Sequence, residues 1–174
     1  MQKDMNLPRA KSRRVLAIDP GFDRMGIAVL EGDPSKPVLV WSDCIEPAKG
    51  KKEARLAEVF AAVAKAIKKH KPDAFALETL FFSVNKTSAL GVAEARGAVL
   101  AAAGAAALPV KEYSPQQVKL AVTGYGASDK AAVARMIPKL LALPAKKRRL
   151  DDELDAIAVG IAALADRSPH RNAP

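Results

Sequence analysis

The patterned part of the chain begins with a short apolar run, Arg14-Val15-Leu16-Ala17-Ile18-Asp19, which ends on a carboxylate and meets Pro20-Gly21. Aliphatic residues followed at once by turn formers predict a strand running into a turn. A second run spans Met25 to Leu30, and after Asp33-Pro34 comes Val38-Leu39-Val40-Trp41. Three such runs joined by tight connections predict an antiparallel meander. From Glu53 to Lys69 the period changes, with Leu56, Val59, Phe60, Val63 and Ile67 at helical spacing and Pro72 as the stop. Lys68, Lys69 and His70 stand where a helix dipole favours cations.

Ala74 to Glu78 reads as a buried strand, again with a carboxylate at its carboxyl end, and Val110 to Tyr113 as a fifth strand. Between them, Thr87 to Ala106 is a long helix of small residues that permits close approach of another helix. Ser114-Pro115-Gln116-Gln117 has a capping-box pattern, with proline at the first helical position where its missing donor costs nothing. Beyond the loop Gly124-Tyr125-Gly126, Ser128 is placed to cap a helix reaching about Leu141, in which Pro138 predicts a kink or an early end. A last helix starts at Asp151 with Leu154, Ile157, Ala158 and Ile161 on its core face. Strands first, then helices alternating with strands, predict an α/β domain with a mixed five-stranded sheet flanked by helices. That domain covers residues 14–166; residues 1–13 and 167–174 are polar and basic and read as mobile tails. No internal repeat interrupts this order.

Composition narrows the class. A chain of 174 residues can bury a core without disulfides or a structural metal, and one domain is expected. Lys and Arg number 28 against 19 Asp and Glu, a net charge of +9, which favours a polyanionic partner such as nucleic acid. Charge alone also fits a surface that merely keeps the protein in solution. Cys44 is the single cysteine, so an intramolecular disulfide or a cysteine zinc cluster is excluded and a reducing cytoplasm is expected. The first residues lack the apolar stretch of a secretory signal. The alanine-rich run near residue 100 is broken by Arg96, Gly97 and Gly104, so no membrane association is expected.

Asp19 and Glu78 each end a predicted strand, and the carboxyl ends of neighbouring strands form the crevice where α/β proteins bind ligands. Two acids there need neutralising, and a hard divalent cation held by carboxylate, water and phosphate oxygens does so. Asp152 and Asp155, three residues apart, share one face of the last helix and could close such a site from the side. A purely structural use competes, because Asp151, Asp152 and Glu153 also complement the positive end of the helix dipole. For Asp152 both uses stand. Asp155 favours the ligand use, since it interrupts an apolar face where an unpaired carboxylate would be expensive.

The segments LAIDPGFDRMGIAVL, FALETLFF, SALGVAEARGAVL, EYSPQQVKLAVTGYGASDK and LDDELDAIAVGIA together resemble, in order, the motifs of the RuvC family of crossover-junction resolvases, over residues 14 to 165. The stretch Gln117 to Lys130 is the most specific. The resemblance implies a ribonuclease H-like fold and an endonuclease that resolves four-way (Holliday) DNA junctions in recombination and repair. It implies two Mg2+ ions per site, with Mn2+ expected to substitute, held by Asp19, Glu78, Asp152 and Asp155. Asp151 stands beside a family position, and Pro138 and the run Lys146-Lys147-Arg148-Arg149 are local departures. Phe81 matches a position whose ring stacks on a base at the junction centre, a contact worth roughly 1–3 kcal/mol; Phe82 either shares that role or fills the core. Lys119 and Lys130 match lysines near the scissile phosphate. A two-fold substrate implies a homodimer, with the Thr87 to Ala106 helix as candidate interface, and the family implies RuvA and RuvB as partners.

Other classes remain. An actin-like or sugar-kinase-like ATPase opens on a similar strand and turn but needs a second related domain. A catalytically silent junction binder would be expected to have lost one of the acids. Another ribonuclease H-like nuclease, acting on RNA–DNA hybrids, fits the basic Gln117 to Lys130 stretch less well.

Overall fold

The structure, a computed structural model, describes residues 13–79, 86–145 and 149–166. Its strands are β1 (Arg13–Asp19), β2 (Met25–Asp33), β3 (Lys36–Ile45), β4 (Ala74–Glu78) and β5 (Val110–Tyr113). The helices are α1 (Lys52–His70), α2 (Lys86–Ala105), α3 (Pro115–Thr123), α4 (Lys130–Leu140) and α5 (Asp151–Ala165). The five strands form one sheet in the order β3-β2-β1-β4-β5. The first three are an antiparallel meander, while β4 and β5 run parallel to β1, so the mixed sheet expected from the sequence is present.

Side-chain alternation divides the core in two. Leu16 and Ile18 of β1 face α1 and α2, with Val59, Val63, Ala66, Val99, Ala102 and Ala103. Val15 and Ala17 face the other way, against α3, α4 and α5. Phe60 falls at helical spacing but is 38% exposed, at the edge of the buried stripe rather than within it. Helix α5 is buried almost all round from Ala156 to Leu164. It lies so close to the sheet that a Cβ on Gly160 would stand 2.3 Å from Leu30 Cδ1.

Helix ends follow local chemistry. Ser114 and Gln117 form the reciprocal capping box, with Gln117 N donating to Ser114 Oγ and Ser114 N to Gln117 Oε1. At the C-terminus of α1 the chain turns at Lys71, in the left-handed region at φ 48°, whose N–H bonds to Ile67 O; Pro72 comes one residue later. The N-cap of α4 is Asp129, not Ser128: its carboxylate accepts from Ala132 N at 2.6 Å and also complements the helix dipole. Ser128 instead bonds Thr123 Oγ1 at 2.7 Å, tying the ends of the Gly124 turn. Pro138 sits inside α4, which ends two residues beyond it. No helix among the described residues is long and apolar enough to cross a membrane.

Candidate active site

Strand alternation explains how two acids distant in sequence meet. Asp19 shares the face of Val15 and Ala17, and Glu78 shares the face of Ala76, so both carboxylates project toward α5. Ile18 pairs with Leu77 on the adjacent parallel strands, which makes Asp19 and Glu78 the next residues of neighbouring strand ends. Helix α5 crosses that end of the sheet and brings Asp155 to it. Asp19, Glu78 and Asp155 line one open cleft of ≈ 310 Å3, with Pro115, Val118 and Lys119 of α3, Lys130 and Val133 of α4, and Ala158.

Asp152 does not line this cleft but lies near enough for its charge to act on Asp19. Its position depends on Gly26 of β2, where a Cβ would come within 1.8 Å of the Asp152 carbonyl oxygen. A glycine inside an apolar strand is the sequence signal of such a close approach. The Asp152 carboxylate pairs with Arg24, Nε to Oδ2 3.1 Å, and Asp155 pairs with Lys130, Nζ to Oδ2 2.6 Å.

The cleft carries more negative charge than its own cations offset. Burial, and then the charges of Glu78, Asp155 and Asp152, push the Asp19 carboxyl up to about 8. Burial and Asp155 raise Glu78 against the opposing pull of Lys130 and Lys119. Asp155 is raised by burial despite its bond to Lys130. Burial opposes the Lys130 ammonium, but the bond and charge of Asp155, with the charges of Asp151 and Asp19, outweigh it and keep Lys130 protonated. Cys44 is no nucleophile here, because burial and the nearby Asp152 and Glu46 push its thiol up to about 11.

These donors fit a hard divalent cation. They are oxygens only, burial and then their mutual repulsion raise the carboxyls of Asp19, Glu78 and Asp155, and Asp152 Oδ2 is buried without a hydrogen-bond partner. Among the described residues no three acids close on one point where they could hold an ion; Asp155 and Asp152 are each paired with a cation, Lys130 and Arg24. Water and phosphate oxygens would complete such a shell.

Glu153, expected to serve only the helix dipole, is 1% exposed on the far side of the helix start. It accepts from Ser42 Oγ at 2.6 Å and pairs with Arg149 Nε at 3.2 Å, and Arg149 also donates to Pro144 O. The i,i+4 spacing of Arg149 and Glu153 was its one sequence signal. Nothing in the sequence pointed to Arg24. Phe81 and Phe82, and Lys146, Lys147 and Arg148 of the basic run, lie outside the described residues.

The family model for crossover junction endodeoxyribonuclease RuvC matches residues 15–163. The crossover junction endodeoxyribonuclease RuvC of Moorella thermoacetica is 40% identical over 148 residues, covering 84% of this chain and 88% of that protein. The one of Syntrophomonas wolfei is 37% identical over 152 residues, 87% of this chain and 88% of that protein. Among solved structures, T. thermophilus RuvC in complex with Holliday junction substrate matches with a TM-score of 0.80 at 32% identity, over 86% of this chain and 92% of that one. The fold is therefore the ribonuclease H-like one. With the family model spanning most of its length and relatives this similar in sequence and in fold, the chain belongs to the RuvC family of crossover junction endodeoxyribonucleases.

Proposed function

We propose that this chain resolves four-way DNA junctions by paired symmetric nicks in recombination and repair, as a magnesium-dependent homodimer. The observation that carries the reading is the convergence of acids from β1, β4 and α5 on a cleft flanked by Lys119 and Lys130, in a member of this nuclease family. Asp19, Glu78, Asp152 and Asp155 would hold two Mg2+ ions, and Mn2+ is expected to substitute. When bound, such ions activate an attacking water and stabilise the leaving 3′ oxygen, giving 5′ phosphates and 3′ hydroxyls.

The chain's own residues do the rest. Asp19, between Glu78 and α5, is the acid that feels the charges of Glu78, Asp155 and Asp152, and would be a ligand of the bound metal. Lys130, held charged, offers its ammonium to a phosphate once Asp155 is otherwise engaged, and Lys119 of α3 lines the same cleft. Val118, Val133 and Ala158 keep part of the cleft apolar, which strengthens each charge interaction within it. Phe81, with Phe82 beside it, is assigned to base stacking at the junction centre on family resemblance alone.

A junction with two-fold symmetry calls for two equivalent sites, and a dimer through α2 supplies them. Leu90, an apolar residue on α2 that is 61% exposed, supports that interface. RuvA and RuvB are the partners the family suggests, in the cytoplasm where the DNA is. The test is cleavage of an end-labelled four-way junction with linear duplex as competitor, in Mg2+ and in EDTA, with Asp19→Asn as control. Paired nicks that need both Mg2+ and Asp19 are expected; equal attack on linear duplex would overturn the substrate assignment.

A further inference from the structure

Arg24 has no part in the reaction proposed for this site, yet its guanidinium pairs with Asp152, Nε to Oδ2 3.1 Å. It lies in the turn before β2, two residues ahead of Gly26, the point at which the start of α5 is pressed onto the strand. Residue 24 and Asp152 are therefore fixed relative to one another by the fold, and their contact is not a chance meeting of two surface chains. The Arg24 and Asp152 side chains are 48% and 24% exposed, so the guanidinium meets a mostly covered carboxylate from the solvent side. Asp152 Oδ2, by contrast, is buried and receives no hydrogen bond, being held by charge alone. A guanidinium stays protonated throughout the working range, so a change of pH does not release this contact; a competing cation must displace it.

We infer that Arg24 is a positioning residue, a counter-ion latch that holds Asp152 away from the centre of the cleft until a divalent cation takes its place. The inference rests on the reading of Asp152 as a metal ligand. An interaction present only in the metal-free protein lowers metal affinity by the factor it stabilises that state. Once displaced, the guanidinium stands free at the rim of a cleft built for a phosphodiester, where its planar fork suits a phosphate. Arg24 thus opposes metal entry and favours DNA after metal entry. A side chain that only supported the fold would do neither.

The experiment is a Mn2+ titration of the metal-free full chain by calorimetry, without DNA, for wild type, Arg24→Gln, Arg24→Ala, Arg24→Lys and Asp152→Asn, with circular dichroism to verify folding. Arg24→Gln and Arg24→Ala are expected to bind Mn2+ roughly two- to fivefold more tightly, the range for a partly exposed ion pair, and Arg24→Lys close to wild type. Asp152→Asn is expected to lose affinity. Junction binding, measured against KCl, should weaken in Arg24→Gln in Ca2+ but hardly in EDTA, with a salt slope in Ca2+ shallower by about one phosphate contact. Loss in Asp152→Asn with unchanged or weaker Mn2+ binding in both Arg24→Gln and Arg24→Ala overturns the latch and leaves Asp152 a ligand. Unchanged Mn2+ binding in Asp152→Asn overturns both. Equal loss of junction affinity in Ca2+ and in EDTA overturns the exchange onto phosphate.

Discussion

Two interior acidic regions lie on either side of the start of α5. On one side Glu153 is enclosed, with Ser42 and Arg149 supplying a hydroxyl and a guanidinium at 2.6 and 3.2 Å. On the other, Asp19, Glu78 and Asp155 face an open cleft with their carboxyls raised by burial and by one another. Neighbouring residues of one helix turn, Asp152 and Glu153, thus part ways: Glu153 is enclosed with Ser42 and Arg149, and Asp152 pairs with Arg24 and adds its charge to those acting on Asp19. A buried acid with matched partners holds the structure together, whereas a cluster whose charges outrun its partners stores repulsion that an incoming cation relieves.

The sharpest way to break that contrast is Asp19→Asn. If the cleft acids work together, cleavage falls by about three orders of magnitude, the upper scale for loss of one electrostatic element, while junction binding survives. Appreciable residual cutting would sink the assignment. The same cluster predicts a pH effect on the metal-free protein. Because the Asp19 carboxyl is raised from 3.8 to about 8, the folded chain binds more protons than the unfolded one between those values. Stability is therefore greatest below about pH 4 as far as Asp19 is concerned and declines as pH rises toward 8. Asp19→Asn should flatten the melting temperature against pH over that window, and added Mg2+ should do likewise.

The closed region responds in the opposite way. Glu153→Ala leaves Arg149 mostly buried without its carboxylate and should destabilise by about 3–5 kcal/mol in denaturant unfolding. Glu153→Gln, which keeps an acceptor for Ser42, should recover part of that loss. If Glu153→Ala removed cleavage with no change in stability, the two regions would not be distinct. Between the regions, Gly160→Ala drives a methyl into the end of the Leu30 side chain and should cost about 1–3 kcal/mol. The smallest effect is expected of Asp151→Asn. That residue is exposed in the first turn of α5, so its loss should cost about 0.3–1 kcal/mol through the helix dipole and change cleavage less than about twofold. A hundredfold loss of cleavage would put Asp151 inside the cluster.

The sequence by itself determined the order and kind of the elements, because apolar period, turn residues and capping patterns act over a few residues. It also marked Asp19 and Glu78 as acids at strand ends, and the sheet order, which sets β1 beside β4, then brought them together on one face. What it left open turned on distances across the fold. The cap of α4 moved to Asp129 through the competition of two neighbouring side chains for one set of amides, with Ser128 drawn instead to Thr123. Phe60 lay outside the stripe because the width of the buried face depends on how α1 settles against α2 and the sheet. The fates of Asp152 and Glu153 were decided by tertiary structure alone. A helix presents successive residues about 100° apart, and only its contact with Gly26 and Ser42 fixes which faces the cleft and which the interior.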